Sequence, residues 1–264
     1  MPLRLAILET DTPVPATHAL YSGYLGVFTH LFTRAASPIP LSAVLTLTGH
    51  HIVPDNDNDP AFLIALPTAP APSAAYPPLD EVDAILVTGS KHNAFDDHPW
   101  IEELVGYVRK AVEGGRVKVL GVCFGHQIVA RAMGVRVGRA EGWEVSVTEA
   151  RLTGRGREVF GGRETLQIQQ MHRDQVFGLP PNAELLASTD ACANHGFLIP
   201  ERVITVQGHP EFTAAIMREI LDLRHDTGLF PEELYRAGLA RNGDHHDGVL
   251  IAQAFLKFLL AQEQ

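Results

Sequence analysis

Short apolar runs at Leu3–Leu8, Val44–Leu47, Ala84–Val87, Val117–Gly121 and Val203–Val206 alternate with stretches of helical periodicity. The runs predict strands, and their alternation with helices predicts a mostly parallel central sheet covered by helices on both faces. The fold class is α/β, and in such sheets ligands gather at the carboxyl ends of the strands. Residues 145 to 199 follow a different pattern. Val145-Ser146-Val147-Thr148 and Thr165-Leu166-Gln167-Ile168 alternate apolar and polar positions, which predicts a more antiparallel region beside the main sheet. Beyond Glu211, apolar residues at helical spacing predict helices over Ala214–Thr227, Pro231–Ala240 and Asp247–Gln262. No internal repeat is visible.

Between Pro54 and Pro78 the pattern lapses into Pro, Ala, Asp and Asn, and the stretch is read as an exposed loop draped over the site. Its Asp55–Asp59 run invites a calcium reading. An EF-hand loop needs glycine at its sixth position and an acid at its twelfth, where Pro60 and Leu66 stand, so calcium is not expected. His245 and His246, flanked by Asp244 and Asp247, offer a metal set or a solvated helix cap, and the cap is the simpler of the two. No metal and no cofactor is expected.

A chain of 264 residues with 45% hydrophobic content can bury a full core, and one α/β domain is the simpler reading. A net charge of −10 without a basic cluster argues against binding to nucleic acid or an anionic membrane, because phosphate contacts need concentrated Lys and Arg. The first apolar run reaches an acid at Glu9, unlike a signal peptide, and no segment approaches the ~20 apolar residues of a membrane span. The two cysteines, Cys123 and Cys192, could pair in principle, but a nucleophile cannot be held in a disulfide. A reducing, cytoplasmic setting is expected.

The candidate chemistry sits where a strand should meet a helix. Gly121-Val122-Cys123-Phe124-Gly125-His126-Gln127 follows the run Val117–Leu120 and precedes the amphipathic run Ile128–Met133. A nucleophile on such an elbow needs small neighbours, because its backbone is strained and side chains beside it would clash. The positive end of the helix beneath Cys123 favours the reactive thiolate. The competing reading is a buried structural cysteine. A second cluster, Gly208-His209-Pro210-Glu211, follows the β-branched run Val203–Val206. By itself it would be a capped helix start. Together with the elbow it supplies an imidazole to handle a proton and an acid to orient it.

With these residues in view, the chain resembles the class I glutamine amidotransferases, whose triad is Cys-His-Glu. The Cys123 segment looks like the family's nucleophile motif and Gly208–Glu211 like its His/Glu motif. Leu86-Val87-Thr88-Gly89-Ser90 sits where the family carries its first glycine loop, and Gln170-Met171-His172-Arg173-Asp174 where it carries a His-x-Asp segment. All four motifs are expected at the carboxyl ends of strands. Ala94-Phe95-Asp96-Asp97, Pro99-Trp100-Ile101 and Met171–Asp174 are similar to the free-standing branch that includes plant γ-glutamyl peptidases and fungal amidotransferase-like proteins.

The resemblance implies a flavodoxin-like three-layer sandwich spanning residues 1–264, with a motif-bearing core over about 80–212 and a helical extension over about 213–264. It implies Cys123, His209 and Glu211 as the catalytic residues and hydrolysis of a γ-glutamyl amide through a Cys123 thioester. The backbone N–H groups of Phe124 and Ser90 would hold the oxyanion. Ser90 replaces a second glycine, which is costly if that position needs a left-handed backbone. Gly89, Gln127, Gly142, Trp143, Met171 and His172 would line the glutamyl pocket. The bland alternative for Trp143 is a core anchor, and for His172 a satisfied loop histidine. The substrate the resemblance implies is a small γ-glutamyl molecule. A glutamine-dependent synthetase would also need a second catalytic domain, commonly one binding ATP, and no Gly-x4-Gly-Lys-Ser/Thr loop occurs here. The alternatives are therefore a glutaminase subunit feeding ammonia to a separate synthetase, or a catalytically silent binding or regulatory domain.

Overall fold

The computed structural model describes residues 1–54 and 76–261, so the Asp55–Asp59 run and nearly all of the loop expected over Pro54–Pro78 lie outside the described residues. The first half of the chain alternates strand and helix: β1 (Leu3–Glu9), α1 (Pro15–Tyr21), α2 (Tyr24–Ala36), β2 (Leu45–His51), β3 (Ala84–Val87), α3 (Pro99–Gly114), β4 (Lys118–Val122) and α4 (Phe124–Ala132). An antiparallel stretch follows, comprising β5 (Arg136–Leu152), a short α5 (Gly154–Val159), β6 (Thr165–Phe177), two-residue strands β7 (Glu184–Leu185) and β8 (Ala187–Ser188), and β9 (Phe197–Ile199). The chain then returns to the main sheet through β10 (Val203–Val206) and ends in α6 (Ala214–Asp226), α7 (Glu232–Asn242) and α8 (Gly248–Leu260).

The main sheet has seven strands in the order β2-β1-β3-β4-β10-β9-β7, with every pairing from β2 to β10 parallel and β9 and β7 added antiparallel. β3 and β10 are buried at every position, so they read as unbroken apolar runs and not as alternation. Alternate residues of β1 separate the two cores. Leu5 and Ile7 meet Phe28 and Phe32 of α2 and Phe255 of α8 on one face. Ala6 and Leu8 meet Ile101 and Leu104 of α3 and Ile128 of α4 on the other. This is the expected three-layer arrangement. β2 runs on to His51, beyond the predicted end at Leu47, because it is the sheet's edge and its half-exposed Thr, Gly and His positions carry no apolar signal.

The second sheet is antiparallel, in the order β6-β5-β8, with an irregularity between Arg139 and Glu144. It corrects one expectation. Three of the four motifs follow the carboxyl ends of β3, β4 and β10, but Gln170–Asp174 lies within β6. A lateral bridge between Gln169 and His209, with the His209 N–H donating to the Gln169 carbonyl at 2.8 Å, brings that strand to the same edge.

Gly125 and Gly106 should respond oppositely to a methyl group. A Cβ at Gly125 would lie 2.0 Å from the Val87 carbonyl oxygen, whereas one at Gly106, inside α3, meets nothing within 4 Å. In urea titrations Gly106→Ala should raise stability by about 0.5–1 kcal/mol. Gly125→Ala should lower it by about 3 kcal/mol or more; equal midpoints for the two variants would contradict the close approach of α4 to β3.

Candidate active site

Cys123 alone makes the turn from β4 to α4, at φ 51 and ψ −104. A non-glycine residue held in such a region costs about 1–3 kcal/mol, so the surroundings must impose it. The Cys123 N–H donates to the Val206 carbonyl and the Gly125 N–H to the Thr88 carbonyl, each at 3.0 Å. The flanking glycines serve proximity: a Cβ at Gly121 would sit 2.7 Å from the Gly125 oxygen. The start of α4 is thereby pressed onto the ends of β3 and β4, with its first N–H groups beside the cysteine.

His209 stands over this turn, buried and stacked on Phe212 at 3.9 Å between ring centres. Its Nδ1 lies 2.8 Å from Oε1 of the buried Glu211 carboxylate, which leaves Nε2 for Cys123, the ring's other hydrogen-bond partner. Burial disfavours the charged imidazole, but Cys123 and then Glu211 outweigh it and lift His209 to about 10. Gly89 leaves the room these groups need, since a Cβ there would fall 2.6 Å from His209 Cε1 and 3.7 Å from Cys123 Cβ. The Gly89–Ser90 loop is tied down by Thr10, whose hydroxyl donates to the Gly89 carbonyl at 3.0 Å. Ser90 is not among the residues of positive φ, so it replaces a glycine without backbone strain. Its hydroxyl accepts the His92 N–H at 3.2 Å.

Two cavities meet at this point. The larger, about 440 Å3, is lined by Ser90, Cys123, Phe124, Gln127, Trp143, Met171 and His172. The smaller, about 110 Å3, lies on the His209 side and is walled by Tyr24, Phe212, Ile216 and Ile220 among others. Ser90, Lys91, Met171 and Arg224 border both. Gln127 reaches the larger cavity with its amide hydrogens already engaged, donating to the Asp174 carbonyl at 2.9 Å and to Gln207 Oε1 at 3.1 Å. Only its oxygen remains for a ligand. Gly142 does not reach the cavity: it is exposed at the irregularity in β5. Trp143 is a wall and a packing residue at once, edge-on to Phe230 at 5.1 Å.

His172 is a strand residue, not a loop histidine. Its Nδ1 lies 3.2 Å from the Asp174 carbonyl, and its Nε2 lies 3.1 Å from Glu144 Oε2, which is also 2.9 Å from His195 Nε2. Among the described residues these three form the group whose potential metal-ligating atoms gather within 4.8 Å. Thr189 donates to the other Glu144 oxygen at 2.8 Å. Burial opposes ionisation of Glu144, yet the two imidazoles outweigh it and hold the carboxyl below the usual range. The group thereby clasps β5, β6 and the 189–195 segment behind the cavity wall. The His245/His246 pair gathers no such set: His245 is exposed, while Asp247 starts α8 and accepts from Arg163 at 2.9 Å and from the Gln167 N–H at 2.8 Å.

Sequence reasoning missed Glu144, His195, Lys91 and Arg224. Glu144 adjoins the named Gly142-Trp143 pair and could have been drawn in by it. Arg224 gives no signal, because a basic residue in the last turn of a helix is what the helix dipole alone would favour.

The family model of class I glutamine amidotransferases matches residues 65–223. The chain is 33% identical to a glutamine amidotransferase-like protein of Schizosaccharomyces pombe over 265 residues, covering 98% of this chain and 100% of that one. It is 40% identical to γ-glutamyl peptidase 3 of Arabidopsis thaliana over 151 residues, 54% of this chain and 60% of that protein. In fold it is similar to a glutamine amidotransferase from Thermotoga maritima, with a TM-score of 0.68 at 15% identity, covering 99% of this chain and 100% of that one.

The two cysteines, both free and buried, stand in opposite surroundings. Burial pushes Cys192 up to about 12, and its sulfur lies 3.4 Å from the Asn194 carbonyl. Cys123 borders a cavity beside His209. Iodoacetamide at neutral pH should therefore label Cys123 well before Cys192, as read by mass spectrometry of partly modified protein; preferential labelling of Cys192 would contradict this placement.

Proposed function

The chain belongs to the class I glutamine amidotransferases, and from that premise we propose that it hydrolyses a γ-glutamyl amide, a γ-glutamyl peptide or conjugate or glutamine itself, with Cys123 as nucleophile. The observation that carries this reading is the strained cysteine beside a buried His209–Glu211 pair at the junction of two cavities. The silent-domain alternative offers no reason to hold that strain and that buried pair together.

In the proposed reaction His209 takes the Cys123 thiol proton at Nε2 and the sulfur attacks the γ-carbonyl carbon, forming the S–C bond of a tetrahedral intermediate as the C=O π pair moves to oxygen. Its oxyanion is held by the backbone N–H groups of Phe124 and Ser90, each such donor typically contributing ~3 kcal/mol. Collapse breaks the C–N bond, and His209 gives its Nε2 proton to the departing nitrogen. Before attack, Cys123 and Glu211 raise His209 and so hold the proton on its ring at neutral pH. Glu211 holds the ring in the orientation this transfer needs. Water then attacks the thioester, with His209 taking its proton; the C–S bond breaks, His209 returns that proton to the sulfur, and glutamate leaves as the thiol is restored. The larger cavity takes the glutamyl head, with Gln127 Oε1, Trp143, Met171 and His172 on its walls.

A panel of glutamine, glutathione and other γ-glutamyl conjugates, assayed for released glutamate, tests the reading. The purified chain should turn over at least one of them unassisted, with activity abolished in Cys123→Ala and reduced by about 100-fold or more in His209→Asn. A chain inert by itself but active beside a co-purified synthetase would instead be a glutaminase subunit.

Ser90 should act through its backbone. Ser90→Ala should keep most of the activity and Ser90→Pro, which lacks the N–H, should lose it. Loss of turnover in a folded Ser90→Ala protein would assign a role to the hydroxyl.

A further inference from the structure

Arg224 is a charge of the site that borders both cavities, unlike Arg173, which borders the larger alone. The Arg224 guanidinium lies over Trp143 at 4.8 Å and Phe230 at 5.5 Å. Nη1 is buried without a hydrogen-bond partner, and among the described residues Arg224 makes no ion pair. The acids lining the two cavities are otherwise engaged: Asp11 accepts the Thr12 N–H at 2.8 Å and the Lys91 N–H at 2.7 Å and pairs with Lys91 Nζ at 3.4 Å, Asp174 pairs with Arg139 at 3.0 Å, and Asp96 accepts from Asn93 at 2.8 Å. Burial lowers Arg224 to about 10, which still leaves it a cation at neutral pH. A cation whose Nη1 is buried with no hydrogen bond and which makes no ion pair is unfavourable by itself and fits a site whose ligand brings the anion.

The position of the two cavities says which part of the ligand that is. Cys123 borders the larger cavity and His209 the smaller. The acyl group bonded to sulfur therefore occupies the larger, and the nitrogen that takes the proton from His209 departs on the side of the smaller. In an α-amino acid the carboxylate carbon is only two bonds from that nitrogen. We propose that Arg224 forms a subsite for a carboxylate on the leaving amine, so that the substrate is a γ-glutamyl amino acid or short peptide with a free carboxyl end, in preference to glutamine. The planar guanidinium, fixed against two aromatic rings, suits a carboxylate in two-point contact. The smaller cavity's Tyr24, Phe212, Ile216 and Ile220 then face the side chain next to that carboxylate, which favours an apolar one. The inference rests on the roles of Cys123 and His209 proposed above.

Calorimetric titration of the full-length Cys123→Ala protein separates binding from turnover. γ-Glutamyl-leucine should bind roughly tenfold or more tightly than its C-terminal amide, the expected size for one charge-assisted contact. Adding Arg224→Gln should weaken the acid and leave the amide nearly unchanged, bringing the ratio close to one, and Arg224→Lys should give an intermediate ratio. An equal loss for acid and amide would assign Arg224 to the glutamyl head and overturn the proposal. So would the absence of any preference before Arg224 is changed, or no binding of either ligand. If Arg224→Gln does not fold, the lysine variant and the acid-to-amide ratio with Arg224 intact decide. Failure of the hydrolytic reading is distinct: the unsubstituted chain would then release no glutamate from γ-glutamyl-leucine, while selective binding lost with Arg224 would still support the subsite.

Discussion

The site depends on how closely the first turn of α4 presses against the ends of β3 and β4. At Gly125 the approach leaves no room for a methyl group against the Val87 carbonyl, and at Gly121 none against Gly125 itself. That contact fixes the direction in which the chain leaves β4, and the one residue between strand and helix must absorb the turn. Cys123 does so at a positive φ, a cost of about 1–3 kcal/mol that the sheet's hydrogen bonds and the two apolar cores offset. The elbow is thus a consequence of packing, and the helix N-terminus beside Cys123 comes with it.

Burial then sorts the titratable groups by their partners. Cys192 and Cys123 are both buried; burial chiefly, with Glu144 adding to it, pushes Cys192 toward the inert thiol, and Cys123 lies beside His209. His209 itself would be driven neutral by desolvation were it not held between the Cys123 sulfur and the Glu211 carboxylate. Glu144 follows the same rule with the opposite sign, kept ionised by His172 and His195. Each of these charges has its counterpart inside the protein. Arg224 feels Cys123, Asp11 and Asp174 only at a distance and, among the described residues, makes no ion pair, and that contrast singles it out more than its position does.

The parts of this architecture legible in the sequence are those whose signal is local. β3 and β10 read as strands because both of their faces are covered, and Cys123 and His209 stood out because glycine and proline spacing mark the turns that carry them. The far end of β2 and the two-residue β7 and β8 were not legible, since an exposed edge strand and a pair of residues leave no periodicity. Glu144, His195 and Arg224 belong to a third class. Their meaning arises only when β5, the 189–195 segment and α6 converge on β6, and no spacing along the chain encodes that meeting. Gly142 shows the converse: placed in the pocket by resemblance, it stands exposed because the irregularity in β5 turns it outward while keeping Trp143 and Glu144 inward.

The two sheets accordingly divide the work. The parallel sheet supplies the elbow, the Gly89 loop and His209 from three adjacent strand ends, so their relative geometry is set by strand spacing and is stiff. The antiparallel sheet supplies Trp143, Met171 and His172 from two long strands that lean over the first sheet's edge. They meet the first sheet at the Gln169–His209 bridge, and Asp247 of the C-terminal helices grips the same strand at Gln167. Changes in the outer parts of β5 and β6 can therefore reshape the cavity wall without moving the cysteine, whereas a change at residue 169 is transmitted directly to the backbone of His209. On the proposed reading the parallel sheet carries the chemistry and the antiparallel sheet much of the recognition, and the Gln169–His209 bridge ties the two together at the backbone.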